Sequence, residues 1–415
     1  MLHYFSTHGA RIVSGYLGSE FWLRTVFRAS HDESAVRYAL VALSLLHLDS
    51  GVANRAKNKP NEEALLQYSK AVRVLHKRLK QGGQRSHETA LICSVLFYSF
   101  ESALENIKEA IQHLDNGLRI LQSVSPEPGS APAEGVVSQL TDVLSRMDLQ
   151  ASMYDDNRDL SLVLVSPEER QTGISDFLAG DNFRDEAEAL FWLNKLQNWF
   201  WHLLTDNLQF KFRSMEDIPQ ALLEEKGRLS RHLDRWAERF SDIRKNIENS
   251  ECQSDTLRGS QLLIVHHQIT QMLLASNLPL DLSVFGSGSS LEPRNLLQMI
   301  QSILYNDQNT AHDSSDSVQQ RFSSETGVIA PLFLLAMKST DNHIVENAAK
   351  LLESCHRREG LHHARAIFTV LRRLNEVREE REAIFEQVEL ALIPLEYWTI
   401  DMIDSRTGGL DTIGI

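Results

Sequence analysis

Cysteine is scarce in this 415-residue chain, which contains only Cys93, Cys252 and Cys355. An odd number of cysteines spread this widely forms neither a disulfide framework nor a zinc-binding cysteine motif. Cys93 lies in an apolar run, where a free thiol packs as a small hydrophobic group. The cysteine content therefore predicts a reducing compartment and no structural zinc site.

Positive charge and long apolar runs are also in short supply. The chain has 42 Lys and Arg against 56 Asp and Glu, which gives a net charge of −14. Such a chain repels phosphate backbones unless a local basic patch compensates. Its longest apolar stretches, residues 39–46 and 327–337, are shorter than the ~18 residues that suggest a membrane span. We therefore expect neither direct DNA binding nor membrane association.

Helical periodicity dominates the sequence. Apolar side chains three or four residues apart share one face of a helix, and the opposite face is polar. Three such stripes are Leu65, Tyr68, Val72, Leu75 and Leu79, then Ile107, Ile111, Leu114, Leu118 and Leu121, and finally Leu229, Leu233, Trp236 and Phe240. Residues 187–204 are apolar nearly all round, which predicts a helix at the centre of the fold.

These patterns predict an all-α fold, a single large assembly of packed helical hairpins over residues 1–415. The only strand-like run, residues 160–165, fits an extended connection equally well. Ser30-His31-Asp32-Glu33 and Ser166-Pro167-Glu168-Glu169 both match the capping-box pattern of a helix start. Polar or Gly/Ser-rich composition predicts mobile loops near 124–135, 285–290 and 306–320. A subdivision into lobes 1–123 and 136–415 stays open.

No motif for catalysis or metal binding stands out. The segment Gly286-Ser287-Gly288-Ser289 has no strand before it and no Gly-Lys-Ser/Thr after it, so it is not a phosphate loop. The cluster formed by Cys355, His356, His362 and His363 lacks the paired spacing of structural zinc. It predicts instead a helix end near Gly360 with solvated His and Arg side chains. We expect no enzyme, and no catalytic, cofactor-binding or metal-binding residues.

Five aromatic residues are the candidates for ligand binding. Phe97 and Phe100 lie on one apolar helix, and Trp192, Trp199 and Trp201 lie on another. Large rings in such positions are typical of a hydrophobic core. The alternative is a cavity between helices that holds a small apolar or aromatic effector.

Three stretches of the sequence resemble a known family. They occur in the same order and span nearly the whole chain. The first comprises Tyr16-Leu17, Phe21-Trp22, Ser30-His31 and residues 35–40; the second comprises residues 90–93, Phe97, Phe100-Glu101, Ala110, His113-Leu114 and Gly117-Leu118; the third comprises Pro331-Leu332-Phe333, Ala336-Met337-Lys338, Ala348, Leu351-Leu352 and Arg357-Arg358-Glu359-Gly360-Leu361. Together they are similar to the regulatory region of fungal zinc-cluster transcription factors.

The resemblance implies an all-helical regulatory domain that responds to a small-molecule effector in some members. It also implies a nuclear location and protein partners among transcription factors or the transcription machinery, and it leaves a homodimer open. Such factors begin with six closely spaced cysteines that hold two zinc ions, and these are missing here. The chain either acts without its own DNA reader or is a truncated form. The alternative function is a helical interaction scaffold outside transcription, located in the cytoplasm.

Overall fold

The computed structural model describes residues 1–17, 20–51, 62–80, 82–124, 135–154, 158–211, 213–248, 254–312 and 321–385. Cys252 and most of the predicted loops 124–135 and 306–320 lie outside these ranges.

The first part of the chain is helical from its start. Short helices and two π-helical turns, at Phe5–Gly9 and Phe21–Thr25, precede a series of long helices. The helices are α1 (Leu2–Tyr4), α2 (Ala10–Ser14), α3 (Val26–Asp32), α4 (Ser34–Gly51), α5 (Glu62–Leu79), α6 (Gln84–Ala103), α7 (Ile107–Val124) and α8 (Val136–Tyr154). Successive long helices pack as hairpins, with α4 against α5 and α6 against α7.

The second part continues with helices of more varied length. They are α9 (Pro167–Thr172), α10 (Ser175–Ala179), α11 (Glu186–Thr205), α12 (Gln220–Glu248), α13 (Ser254–Ala275), α14 (Pro293–His312), α15 (Ile329–Lys338), α16 (Asn342–Ser354) and α17 (Ala364–Phe385). The predicted all-α architecture is therefore confirmed. Among the described helices, none combines the length and the apolar character that crossing a membrane requires.

One small sheet interrupts the helices. Strands β1 (Arg321–Ser323) and β2 (Arg357–Glu359) pair in parallel, and β2 pairs antiparallel with β3 (His362–His363). Phe322 lies opposite Arg358 in the first pairing, and Glu359 lies opposite His362 in the second. The sequence did not predict this sheet, because strands of two or three residues are too short to show a period.

Within the described residues, most of the apolar core belongs to two large clusters. The first uses residues between 5 and 162 together with Leu361, and the second uses residues between 165 and 371. Helix α8 contributes to the first cluster through Leu144 and Met147. The change from the first cluster to the second falls between residues 162 and 165, beyond the predicted lobe boundary at 124–135. The division into domains stays a prediction.

Local signals were confirmed in several places. Leu114, Leu118 and Leu121 of α7 are buried, and so are the four stripe residues of α12, Leu229, Leu233, Trp236 and Phe240. The capping box at Ser166 forms fully: its hydroxyl accepts from the Glu169 amide, and the Glu169 carboxylate accepts from the Ser166 amide. Residues 160–165 form an extended connection rather than a strand.

Other local predictions were wrong. Ser30 lies within the end of α3 and donates to the Phe27 carbonyl at 2.6 Å, so it caps no helix start. Helix α14 continues to His312, into the segment predicted as the loop 306–320. On α5 the buried side chains are Ala64 and Ala71, while three of the five predicted stripe residues are exposed: Leu65, Val72 and Leu79.

Candidate functional site

The five aromatic candidates lie in different parts of the core. Phe97 belongs to the first cluster, and Phe100 forms a small satellite with Ala42 and Ala64. Trp192, Trp199 and Trp201 all belong to or pack against the second cluster. The structure does not bring the five rings together in one site.

Helix α11 is buried on one side rather than all round. Trp199 is fully buried, and its Nε1 donates to Glu225 Oε1 at 2.8 Å. Trp192 and Trp201 are half-buried, and Phe191 is exposed. Two polar groups of the buried Asn198 side chain bind the extended connection: Nδ2 donates to the Leu162 carbonyl, and Oδ1 accepts from the Leu164 amide. These two hydrogen bonds take the place of the backbone hydrogen bonds that residues 160–165 would have made as a strand in a sheet.

The charged segment at Arg357-Arg358-Glu359 is buried, which corrects the prediction of a solvated helix end. Helix α16 ends at Ser354, before this segment, and Gly360 lies in the turn between β2 and β3. Arg357, Arg358, Glu359 and His362 are each less than a tenth exposed. Burying a charged side chain costs free energy unless it is paired and hydrogen-bonded. The partners of these four residues therefore show how the buried polar site is held together.

Glu359 accepts hydrogen bonds from backbone amides at the start of helix α15. Its Oε2 accepts from the amides of Gly327 and Ile329, at 3.0 and 2.8 Å, just where α15 begins. Burial raises the pKa of the Glu359 carboxyl, against the opposing pull of Arg357. A Cβ at Gly327 would overlap this carboxylate, so glycine is needed for the close approach.

A second buried carboxylate, that of Glu325, links helix α8 and Trp22 to the segment before α15. Glu325 accepts from Arg146 Nε and Nη2 at 2.8 and 2.9 Å, in a two-pronged pair. Only 13% of the Arg146 side chain and 3% of the Glu325 side chain are exposed. Trp22 Nε1 also lies 3.4 Å from Glu325 Oε1. Helix α8 and the start of the protein are thereby joined to the segment before α15.

Gln150 makes the third connection. Its Oε1 accepts from Tyr98 Oη at 2.7 Å, and its Nε2 donates to the Glu359 carbonyl at 3.2 Å and to Thr326 Oγ1 at 3.1 Å. The amide lies against Gly360, which has a positive φ of 55°. A Cβ at Gly360 would overlap the Gln150 amide, so both backbone conformation and space require glycine there.

Arg358 makes the fourth connection. Its guanidinium donates to the carbonyls of Ser102 and Ala103, at 3.3 and 2.8 Å, and pairs with the Glu105 carboxylate. These acceptors lie at the end of α6 and in the turn before α7. We call Arg146, Gln150, Glu325, Arg358 and Glu359 the polar junction, because they connect residues of the first cluster to the sheet and to α15.

A cavity of about 190 Å³ borders the polar junction. Its wall combines apolar side chains with three polar ones. The lining residues are Leu46, His47, Ala103, Leu104, Glu105, Phe322 and Arg358. We call it the junction cavity. At this size it is smaller than the ~300–1,000 Å³ of pockets for drug-sized ligands, so an occupant would be small.

The junction cavity contains one ion pair and one neutral histidine. Burial lowers the pKa of His47 to about 4, so its imidazole is neutral at physiological pH. The Arg358 guanidinium pairs with the Glu105 carboxylate, whose side chain is 56% exposed, while the Arg358 side chain is only 6% exposed. Sequence motifs could not indicate this site, because its residues come from four separate segments.

Potential metal ligands do not gather into a site. Across the described residues, no group of three or more His, Cys, Asp or Glu side chains is placed to hold a metal ion. His266 Nε2 contacts the Gly327 carbonyl at 2.7 Å, and His267 Nε2 contacts the Leu233 carbonyl at 2.8 Å, so the two rings serve different partners. Cys93 and Cys355 are both buried.

The protein is thus a helical assembly in which buried ion pairs join two apolar clusters. Residues 1–159 match the family model described as fungal specific transcription factor domain. This confirms the resemblance seen in the sequence for the first two of its three stretches, and the third stretch lies beyond the match. No curated protein and no solved structure matches the chain. The matched range nearly coincides with the first apolar cluster, so the family segment corresponds to a physical unit of packing.

Proposed function

We propose that this chain is an effector-responsive regulatory domain of a transcription regulator, acting without a DNA reader within its 415 residues. The family match over residues 1–159 supports the class of protein. The net charge of −14 supports the absence of direct contact with DNA. Three cysteines are too few for a six-cysteine zinc cluster. The chain would act through protein partners, a complete transcription factor or the transcription machinery, and would reside in the nucleus.

The observation that carries the effector proposal is the position of the junction cavity. Arg358 lines the cavity and also binds the end of α6 from the sheet. An occupant that contacts Arg358 therefore touches a group that holds the family segment to the C-terminal part. A ligand that binds one arrangement of these parts more tightly shifts the population toward that arrangement.

From the lining we infer that the effector would be a small carboxylic acid with an apolar body. Its carboxylate would replace that of Glu105 on Arg358, and its apolar part would contact Leu46 and Phe322. Both carboxylates make the same kind of charge-assisted bond to the guanidinium, so the apolar contacts would supply the preference for the ligand. Neutral His47 can then offer or accept one further hydrogen bond.

The binding step is tested with benzoate and hexanoate as probes, by following the thermal unfolding midpoint of the purified chain. Binding to the native state alone raises the midpoint. Ala103→Trp should fill the cavity and abolish the rise. The matched control is Gln122→Trp, which lies in a separate surface cavity with Asp115, Arg119 and Arg158 and should leave the rise intact. No rise with either probe, or a rise unaffected by Ala103→Trp, would refute the effector site.

The regulatory step is tested by tethering. The chain is fused to a heterologous DNA-binding module in a reporter strain, and transcription of the reporter is measured. A change in reporter output that Ala103→Trp alters supports the proposal. No change from a stably expressed fusion would favour the second candidate, a helical interaction scaffold outside transcription, for which the helical hairpins of α4–α7 provide the surface.

A further inference from the structure

Exposed apolar side chains concentrate on helix α5. Of the thirteen large hydrophobic residues that are exposed in the described parts of the chain, four lie on this one helix. They are Leu65 at 38%, Leu66 at 47%, Val72 at 41% and Leu79 at 40% exposure. Single exposed apolar residues need no explanation, but a contiguous group of them marks an interaction site.

The spacing of these residues gives the group a shape. Leu65, Val72 and Leu79 are seven residues apart and form a row along nearly the full length of α5, with the exposed Ser69 and His76 between them. Helices that pack against other helices use two apolar positions in every seven residues, and the half-buried Tyr68 and Leu75 occupy the second position here. The inner face of α5 is occupied separately, by fully buried Ala64 and Ala71, with α4 as the main neighbour. The row is therefore a second packing face of the same helix.

The charges at the two ends of α5 indicate which partner fits. Glu62 and Glu63 are exposed in its first turn, while Lys77 and Lys80 are exposed at its other end. A second α5 in the antiparallel direction places acidic ends opposite basic ends. A parallel partner would bring like charges together.

The row is also symmetric about its middle. Val72 is equidistant from Leu65 and Leu79, so a two-fold axis at Val72 places Leu65 opposite Leu79 of a second copy. Such a self-complementary patch meets the requirement of an isologous dimer, in which both copies use the same surface.

From these observations we propose that α5 is the interface through which two copies of this chain associate antiparallel, with the axis at Val72. One helix face about 27 Å long offers less area than the ~800 Å² per partner of a standard interface. The dimer should therefore be weak and in exchange with the monomer.

The test is sedimentation equilibrium of the full chain over micromolar to near-millimolar concentrations. The wild type should show a monomer–dimer equilibrium. Val72→Glu places two like charges at the axis and should weaken association by about tenfold or more. Leu208→Glu, at a residue 50% exposed elsewhere on the surface, is the matched control and should have no effect. Because both residues are exposed, circular dichroism should show intact helices in both variants.

Charge reversal tests the direction of pairing. Glu62→Lys with Glu63→Lys should weaken the dimer, and adding Lys77→Glu with Lys80→Glu in the same chain should restore it. A monomeric wild type at all concentrations would overturn the proposal, as would association that Val72→Glu leaves unchanged. Reversal without loss and rescue would overturn the antiparallel arrangement.

Discussion

The pair between Arg146 and Glu325 offers the sharpest test of the polar junction. We consider Glu325→Gln, which keeps the shape of the side chain and removes its charge. The carboxylate accepts two hydrogen bonds from the guanidinium, at 2.8 and 2.9 Å, in a place where Glu325 is only 3% exposed. In the variant, the NH2 group of the new side-chain amide would face one of the Arg146 N–H donors, so one hydrogen bond would be lost. Arg146 would also stay buried without its main counter-charge.

The expected cost follows from burial. Removing one partner of a buried ion pair costs about 3–5 kcal/mol, because the remaining charge is left uncompensated in a medium of low polarity. Asp142 lies one helical turn before Arg146 and contributes some negative charge. We therefore expect the lower end of the range, about 3 kcal/mol.

A matched control exists on the surface. Arg24 and Glu20 form a bridge of the same chemistry at 2.8 Å, but their side chains are 79% and 60% exposed. Solvent screening and side-chain entropy leave such a pair worth roughly 0.3–0.5 kcal/mol. Glu20→Gln should thus be nearly neutral.

The assay is urea unfolding followed by circular dichroism, with the midpoint of the first transition compared among the three proteins. An unchanged slope would show that only stability has changed. Equal losses in the two variants, or a loss below about 1 kcal/mol for Glu325→Gln, would refute the reasoning that burial decides the value of the pair.

Three further outcomes are expected. Burial lowers the pKa of His47, His267 and His362 to about 4, below the ordinary 6.5, so unfolding takes up protons and stability should fall as pH drops from 6.5 toward 4; a flat urea midpoint would contradict this. Burial raises the pKa of Asp142 from 3.8 to about 6, which has the opposite sign, so Asp142→Asn should add up to about 3 kcal/mol at pH 7 and much less at pH 4 in the same assay. Trp199→Ala should cost roughly 3–5 kcal/mol by calorimetry, and a cost below about 1 would show that the ring is not part of the core.

Signals that act within one helix could be read from the sequence. The stripe of α12 and the capping box at Ser166 depend on residues a few positions apart, and the structure has both. The burial of Arg358 depends on carbonyls more than 250 residues away, at Ser102 and Ala103. Composition alone marks such a segment as solvated, since charged residues are almost never buried unless paired.

The orientation of α5 illustrates a different difficulty. Two apolar rows compete on this helix, the large residues Leu65 and Leu79 and the small residues Ala64 and Ala71. A hydrophobicity pattern favours the larger side chains as the buried face. The structure instead packs the alanine row inward, because small side chains let two helices approach closely. The exposure of the larger row follows from this packing, and the sequence pattern alone could not indicate it.

The polar junction connects two apolar clusters that are each largely self-contained. Each apolar cluster is built mainly from one continuous part of the chain, so most of its burial does not depend on the other part. The buried ion pairs between them contribute less net free energy than their number implies, because desolvation offsets much of the attraction. A hydrogen bond to a charged group is worth about 1.5–3 kcal/mol, and allosteric couplings are typically about 1–3 kcal/mol. Under the proposal above, a ligand on Arg358 shifts the balance between two arrangements only by the difference in its affinity for them, and a difference of this size would require no change within either cluster.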